Sequence, residues 1–149
     1  MDSTVVVTGG LGRSGRWIVD RLADDHEVVC VDLDHPGYEI VPRETVDFRA
    51  ADLTDAGETF DLVGEVDPDA VVHWGSHPSP TRHAGSRVFR ENVAGAYNVL
   101  VAAGRADATV VQASSESAYG LAFAEETPLP DELPITEGHP TRPEDPYGT

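Results

Sequence analysis

The chain has 149 residues, enough for one domain with a buried core. It carries 27 acids against 10 bases, every base an arginine, for a formal charge of −17. A surface this acidic repels phosphate backbones and anionic headgroups, which argues against nucleic acid and membranes as partners.

The chain opens on Val5-Val6-Val7-Thr8, a β-branched apolar run that reads as a buried strand. Gly9, Gly12 and Gly15 follow before Trp17, Ile18, Val19 and Leu22 restore an apolar helical face, so a helix is expected from about Arg13 to Ala23. In such a turn the first glycine permits the bend, the second lets backbone approach a pyrophosphate, and the third lets helix pack on strand. Phosphates then meet the free N–H groups around Arg13 and Ser14 and the positive end of the helix dipole. Glu27 to Asp32 reads as a second strand, and Asp32 stands about 20 residues beyond the glycines, where a carboxylate accepts the ribose hydroxyls. A 2′-phosphate would meet that carboxylate as a like charge, so NAD is expected over NADP.

Asp34-His35-Pro36-Gly37 is a turn by composition, and the loop to Pro42 lies near the adenosine end. A short third strand, Thr45 to Ala50, leads to Asp52 and Leu53 at a sheet edge, placed to meet the adenine amino group and ring. The alternative is that Asp52 or Thr54 caps the next helix, expected from about Ala56 to Glu65. Ala70 to Ser76 is a fourth strand running into a small-residue edge, which leaves room for a cofactor. A long helix is expected from about Gly85 to Ala103, with Phe89, Val93, Ala96, Leu100 and Ala103 as its packing stripe. Asn92 sits beside that stripe and needs polar partners. The spacing of His73, His77 and His83 raises a metal site, but no paired cysteine or helical spacing supports it, and no metal is expected. His77 is left open between substrate and solvent.

Ala108 to Ser115 reads as a fifth strand, with Ala113 near its carboxyl end and Glu116 to Gly120 continuing it. Between Pro128 and Pro146 fall six of the eleven prolines, and seven acids lie between Glu125 and Asp145. That segment is expected to be an ordered loop or a lid.

Cys30 is the single cysteine and lies in an apolar run, so no intramolecular disulfide forms and a reducing compartment fits. No basic and apolar leader follows Met1, and no stretch is long enough to span a bilayer, so a cytoplasmic location is expected. The lysine-free, acid-rich balance is similar to that of halophilic archaeal proteins.

Five β/α steps with ligand groups at each carboxyl edge specify an α/β fold, a Rossmann-type doubly wound parallel sheet. On several ordered motifs the chain resembles the extended short-chain dehydrogenase/reductases, in the NAD-dependent epimerase/dehydratase branch. Thr8 to Gly15 is similar to that family's TGxxGxxG fingerprint, and Asp32 and Asp52-Leu53 to its ribose and adenine positions. Asn92 to Leu100 resembles its N-x-x-G-T-x-N-V-L helix, Ser114 to Gly120 its S-S-x-x-V-Y-G strand end, and Pro146-Tyr147-Gly148-Thr149 the opening of its P-Y-x-x-S-K helix.

The resemblance implies NAD as cofactor, contacted by Gly9, Gly12, Arg13, Ser14, Gly15, Asp32, Asp52, Leu53, Trp74, Gly75, Asn92 and Ala113. It implies Tyr147 as the general acid/base on a sugar hydroxyl and Ser115 as a hydrogen-bond partner of the same oxygen. A phenol with a pKa near 10 needs a nearby cation for this work. In the family that cation is a lysine four residues after the tyrosine, a position beyond Thr149. These residues are therefore expected to form residues 1–124, a NAD-binding domain, and 125–149, a loop leading into the active-site helix. Truncated before the last strands and the substrate lobe, they would bind NAD without turnover.

The function implied is the NAD-binding portion of a sugar or nucleotide-sugar epimerase or dehydratase. Dehydratases of the family usually carry an Asp-Glu pair after the catalytic hydroxyl, where Ser115 is followed by Glu116 and Ser117, so dehydration is less favoured. The alternatives are an NAD-dependent sugar or uronate dehydrogenase and, from another class, a non-catalytic dinucleotide-binding module. The expected partner is a small sugar or nucleotide sugar, with a homodimer compatible.

Overall fold

A computed structural model describes residues 3–34, 45–121 and 129–149. The turn at His35 to Gly37, the loop to Pro42 and the start of the proline-rich segment lie outside the described residues. The chain divides into two compact units, Met1–Ser76 with Val93–Ala113, and His77–Asn92 with Ser114–Thr149.

The first unit is a five-stranded parallel sheet, β1 (Thr4–Thr8), β2 (Glu27–Asp32), β3 (Val46–Ala50), β4 (Ala70–His73) and β5 (Thr109–Gln112), in the order β3-β2-β1-β4-β5. Its helices are α1 (Gly15–Leu22), α2 (Ala56–Val66) and α3 (Gly85–Arg105), the last of which begins in the other unit. The central strands are nearly continuous valine because a parallel sheet is covered on both faces. Alternation along each strand then sorts the side chains. Val5, Val7, Val28 and Cys30 pack with Val19 of α1 on one face. Val6, Val29, Val31 and Val71 pack with Val99 and Ala103 of α3 on the other, joined by Leu62 and Val66 of α2. The sheet is thus doubly wound.

The strand order reverses direction at β1, with β2 on one side and β4 on the other. Thr8 pairs with Val31 and with His73, so the carboxyl ends of β1, β2 and β4 line up at one edge. Ligands of such sheets bind in the crevice at that reversal.

Three expectations are corrected. First, the stripe Phe89, Val93, Ala96, Leu100 and Ala103 is only in part the packing face of α3: Phe89, Val93 and Leu100 are exposed, while Ala103 is buried together with Val88, Asn98, Val99 and Ala102. Both stripes have helical spacing. Within the first unit the buried one carries smaller residues, including Gly95, which faces Leu53 at a separation where a Cβ would lie 3.5 Å from Leu53 Cβ. Small residues let the helix settle close, leaving the bulky stripe outside.

Second, β5 is shorter than expected, and Glu116–Tyr119 is a 3-10 turn and not strand. The Ala113 N–H still reaches His73 O at 3.0 Å. Ser115 Oγ then accepts from Ser117 N at 3.2 Å, and this local side-chain bond competes with ladder pairing. Third, α2 is capped by neither Asp52 nor Thr54 but by Asp55, whose carboxylate accepts from Glu58 N at 3.0 Å.

In the second unit the described part of the proline-rich segment, residues 129–149, is held by specific bonds. Arg142 N donates to Ala118 O at 2.9 Å, its guanidinium pairs with Asp131 at 2.9 Å, and His139 Nε2 accepts from Asp131 N at 3.0 Å. Among the described residues no helix is long and apolar enough to cross a membrane.

Candidate active site

The glycine turn is built as a cradle. Gly9 has φ +64, in the left-handed region open to glycine, and a Cβ there would lie 2.7 Å from Gly75 Cα. A Cβ at Gly15 would overlap the Gly9 carbonyl. Gly12 differs. Its Cβ would meet a single atom within 4 Å, Gly9 O at 3.0 Å, and the residue is exposed. Open space at the second glycine is what a closely approaching ligand requires.

Gly12 N donates to Gly9 O at 3.0 Å and Gly10 N to Val31 O at 3.2 Å, closing the turn. Ser14 is the N-cap of α1, yet its side chain makes no capping bond. Among the described residues the N–H groups of Arg13, Ser14 and Gly15 have no acceptor. Orphan donors at a helix start form an anion site. The cradle therefore fits a dinucleotide diphosphate.

Asp32, the last residue of β2, turns toward the same loop. Its Oδ2 accepts from Leu11 N at 3.1 Å and its Oδ1 from Leu33 N at 2.9 Å. The carboxylate thus stands beside the cradle with lone pairs still free for ribose hydroxyls. Cys30, two residues earlier, is buried beneath the turn, and burial followed by the Asp32 charge pushes its thiol up to about 11. It is core and not a nucleophile.

Asp52 and Leu53 lie at the carboxyl end of β3. Asp52 is exposed and its Oδ1 is taken by Thr54 N at 2.9 Å and Thr54 Oγ1 at 2.8 Å. Leu53 packs inward, where a Cβ on Gly75 would sit 3.0 Å from its Cδ1. Gly9, Gly75 and Leu53 are thereby gathered at the carboxyl edges of three strands. Asn98 pins this arrangement, its Nδ2 donating to Leu53 O at 2.9 Å and Thr54 O at 3.3 Å.

A polar knot that sequence reasoning missed holds the β1 and β4 ends together. Thr8 Oγ1 accepts from Trp74 N and Gly75 N, both at 3.1 Å, and lies 2.7 Å from His73 Nδ1. With both lone pairs taken, the hydroxyl proton points to His73 Nδ1, so the imidazole is the neutral Nε2–H tautomer. Burial holds His73 below its ordinary value of 6.5, which suits that assignment. The signal was present in the sequence: a threonine ending one apolar strand and a histidine ending its neighbour.

The remaining candidates belong to the second unit. Asn92 spends its amide on backbone, with Oδ1 accepting from His77 N at 2.7 Å and Nδ2 donating to His77 O at 3.3 Å. Ser115 begins the 3-10 turn. Asp145 Oδ1 accepts from Tyr147 N at 2.7 Å and Gly148 N at 2.9 Å, and so organises the chain end that carries Tyr147. Gly148 lies so close to Ser117 that any side chain there would overlap the Ser117 carbonyl. Contact between Ser117 and Gly148 brings the turn of Ser115 beside that of Tyr147. In the first unit His73 is bonded to Thr8, and in the second the rings of His77 and His83 pair edge to face at 4.7 Å.

The family model for the NAD dependent epimerase/dehydratase family matches residues 5–149. The chain is 32% identical over 151 residues to a UDP-glucose 4-epimerase of Streptococcus mutans, covering 97% of this chain and 43% of that protein. It is 34% identical over 151 residues to an L-arabinose 1-dehydrogenase (NAD(P)(+)) of Haloferax volcanii, covering 97% of this chain and 55% of that one. Among solved structures, UDP-glucose 4-epimerase from Brucella ovis in complex with NAD superposes with a TM-score of 0.80 at 27% identity, over 98% of this chain and 43% of that one. The chain thus spans about half the length of these relatives. The chain belongs to the NAD-dependent epimerase/dehydratase family, with which its glycine turn and strand order accord, and NAD is its cofactor.

Proposed function

We propose that the protein containing this chain interconverts sugars or nucleotide sugars by transient oxidation of a hydroxyl carbon. Residues 1–124 serve as the NAD-binding domain and residues 125–149 lead into the active-site helix. The observation that carries the reading is the approach of Gly148 to Ser117, which sets the Ser115 and Tyr147 segments in contact within one unit.

When bound, NAD supplies a two-electron hydride acceptor. An alcohol cannot release hydride unless its proton also leaves, and Tyr147 takes that proton as general base. Ser115 donates a hydrogen bond to the same oxygen and steadies it as it becomes a carbonyl. In epimerisation Tyr147 would then return the proton to the same oxygen. Gly12, Arg13, Ser14 and Gly15 hold the diphosphate, Asp32 the ribose, and Asp52 and Leu53 the adenine. Trp74, Gly75 and Ala113 border the cofactor further along the sheet edge, and Asn92 is a further cofactor contact.

A net sugar dehydrogenase is the second reading, favoured by the identity to the Haloferax volcanii enzyme. Incubating the full-length protein with NAD and either UDP-galactose or free L-arabinose separates the two. An epimerase converts the nucleotide sugar with no lasting absorbance from reduced cofactor. A dehydrogenase accumulates that absorbance in proportion to sugar consumed. Neither signal with any sugar overturns both readings and leaves a dinucleotide-binding module. The protein acts in the cytoplasm, with no nucleic-acid or membrane partner and with a homodimer as its assembly.

A further inference from the structure

Among the described residues of the second unit, His139 is the one titratable side chain that is buried, and the chemistry above gives it no part. Both its ring nitrogens meet backbone groups, and each of those groups admits a single role. Nδ1 lies 3.0 Å from Pro140 O, a carbonyl that only accepts, so Nδ1 carries the proton. Asp131 N donates to Nε2 at 3.0 Å, so Nε2 presents its lone pair. The two partners together demand the neutral ring. A second proton, on Nε2, would set N–H against N–H and leave the Asp131 amide without its acceptor.

The ring joins the proline-rich segment to the turn that carries Ser115. It packs edge to face on Tyr119, with centroids 5.4 Å apart and planes at 89°, and Tyr119 ends the 3-10 turn whose N-cap is Ser115. Two backbone contacts seat the segment on the same turn. Arg142 N donates to Ala118 O at 2.9 Å, and a Cβ on Gly120 would overlap the Arg142 carbonyl. Asp131 is thereby held twice, by its amide on His139 and by its carboxylate on Arg142 at 2.9 Å. The path onward is short, because Ser117 of that turn meets Gly148, the residue after Tyr147.

The charged and titratable groups near the ring are engaged elsewhere. Tyr119 faces it from the 3-10 turn with its ring edge. On the segment itself Asp131 and Arg142 pair with each other, and Glu132 accepts from Thr136 Oγ1 at 2.8 Å. Glu137 is exposed on the turn that His139 N closes onto Thr136 O at 3.0 Å, and Glu144 stands beside Gly120. Among the described residues no carboxylate is hydrogen-bonded to the imidazole, so a charged ring has no partner there to replace the Asp131 amide.

We propose that His139 is a positioning residue for Ser115 and Tyr147, and that it acts as a proton-sensitive latch. The neutral ring seats residues 131–142 on the Ser115 turn, and a proton taken up from solvent at Nε2 releases them. Turnover is then lost on the acid side through a side chain that takes no part in the proton transfer itself. The inference rests on the sugar reading above, because it acts through the two residues which that reading makes catalytic.

The test measures kcat, KM and NAD affinity of the full-length protein between about pH 5 and pH 8, with whichever of L-arabinose and UDP-galactose it turns over. His139→Gln keeps an oxygen for the Asp131 amide and has no site for the proton. It is expected to retain most of the kcat at the upper end of that range and to lack the acid-side fall of the wild type. His139→Phe keeps the ring against Tyr119 and neither hydrogen bond, and should lower kcat by about tenfold or more while KM and NAD affinity stay near wild type. Nitrogen NMR of labelled histidine, at the upper end of the range, should find the His139 proton on Nδ1. Superposable kcat profiles of wild type and His139→Gln, a wild-type kcat in His139→Phe, or a proton on Nε2 each overturn this inference and leave the sugar reading standing. Should His139→Phe not fold, the His139→Gln profile and the ring spectrum decide. No turnover of either sugar by the wild type overturns the sugar reading and this inference together.

Discussion

Thr8 Oγ1 lies 2.7 Å from His73 Nδ1, and through that bond the last residue of β1 is tied to the last residue of β4. The same oxygen receives the amides of Trp74 and Gly75, so one hydroxyl ties the carboxyl ends of β1 and β4 together. Thr8→Val leaves two N–H groups and an imidazole nitrogen without their partner, at a cost of about 1–3 kcal/mol each in a dry site. We expect a lower Tm and weaker NAD binding, with Thr8→Ser recovering both. Differential scanning fluorimetry and NAD titration check this; unchanged NAD affinity in Thr8→Val contradicts it.

The same pair sets a pH dependence. Burial lowers the folded pKa of His73 below its ordinary value of 6.5. As pH falls through the unfolded value, the unfolded chain takes up a proton that the folded chain refuses. Stability from this group is therefore full above that pH and declines below it until the folded pKa is passed. Denaturant unfolding at pH 5, 6 and 7, as about three evenly spaced points on that slope, should show a steeper acid loss in wild type than in His73→Asn. Equal slopes would remove His73 from the account.

Gly12 and Gly15 predict opposite phenotypes for one chemical change. A Cβ at Gly15 overlaps Gly9 O, so Gly15→Ala distorts the turn and costs stability by about 1–3 kcal/mol. A Cβ at Gly12 meets one atom at 3.0 Å and otherwise projects into open space. Gly12→Ala should fold with a near-native Tm and bind NAD at least tenfold more weakly, on the order of 1.4 kcal/mol. Thermal unfolding and calorimetry on the two variants read the difference.

Asp32 should govern the choice between NAD and NADP. Asp32→Asn keeps an oxygen for Leu11 N, which is 3.1 Å from the carboxylate, while removing the negative charge. The loop should hold and the repulsion of a 2′-phosphate should fall, shifting the NADP to NAD affinity ratio upward by roughly tenfold, or about 1.4 kcal/mol. Parallel titrations with both nucleotides measure the ratio, and no shift argues that Asp32 does not reach the ribose.

Salt should stabilise this protein. At a formal charge of −17 the folded state repels itself, and added ions shorten the range of that repulsion to about 3 Å at 1 M. Tm measured from low to molar potassium chloride is expected to climb continuously. A flat or falling curve would show that charge does not limit stability here.

The reach of the sequence differed from element to element. The run Val5 to Thr8 with its glycines was legible because backbone geometry demands those residue types locally, whatever packs around them. Asp32 was legible because a strand has a fixed length and its acid falls at the end. The packing face of α3 was not, since two stripes share the helical period, and only the closeness of Leu53 to Gly95 selects the small-residue side. Likewise Asn92 announced a need for partners without naming His77.

What the sequence by itself determined is therefore the sheet and the glycine turn: local conformational preference and period decide them, and both act within a few residues. What only the tertiary structure decided is pairing across distance. Thr8 with His73, Leu53 with Gly75, His77 with Glu91 and Ser117 with Gly148 are separated in the chain, and no short-range rule relates their positions. Their meeting depends on how strands align and on which helix face seats itself, and those are settled by the packing of the whole.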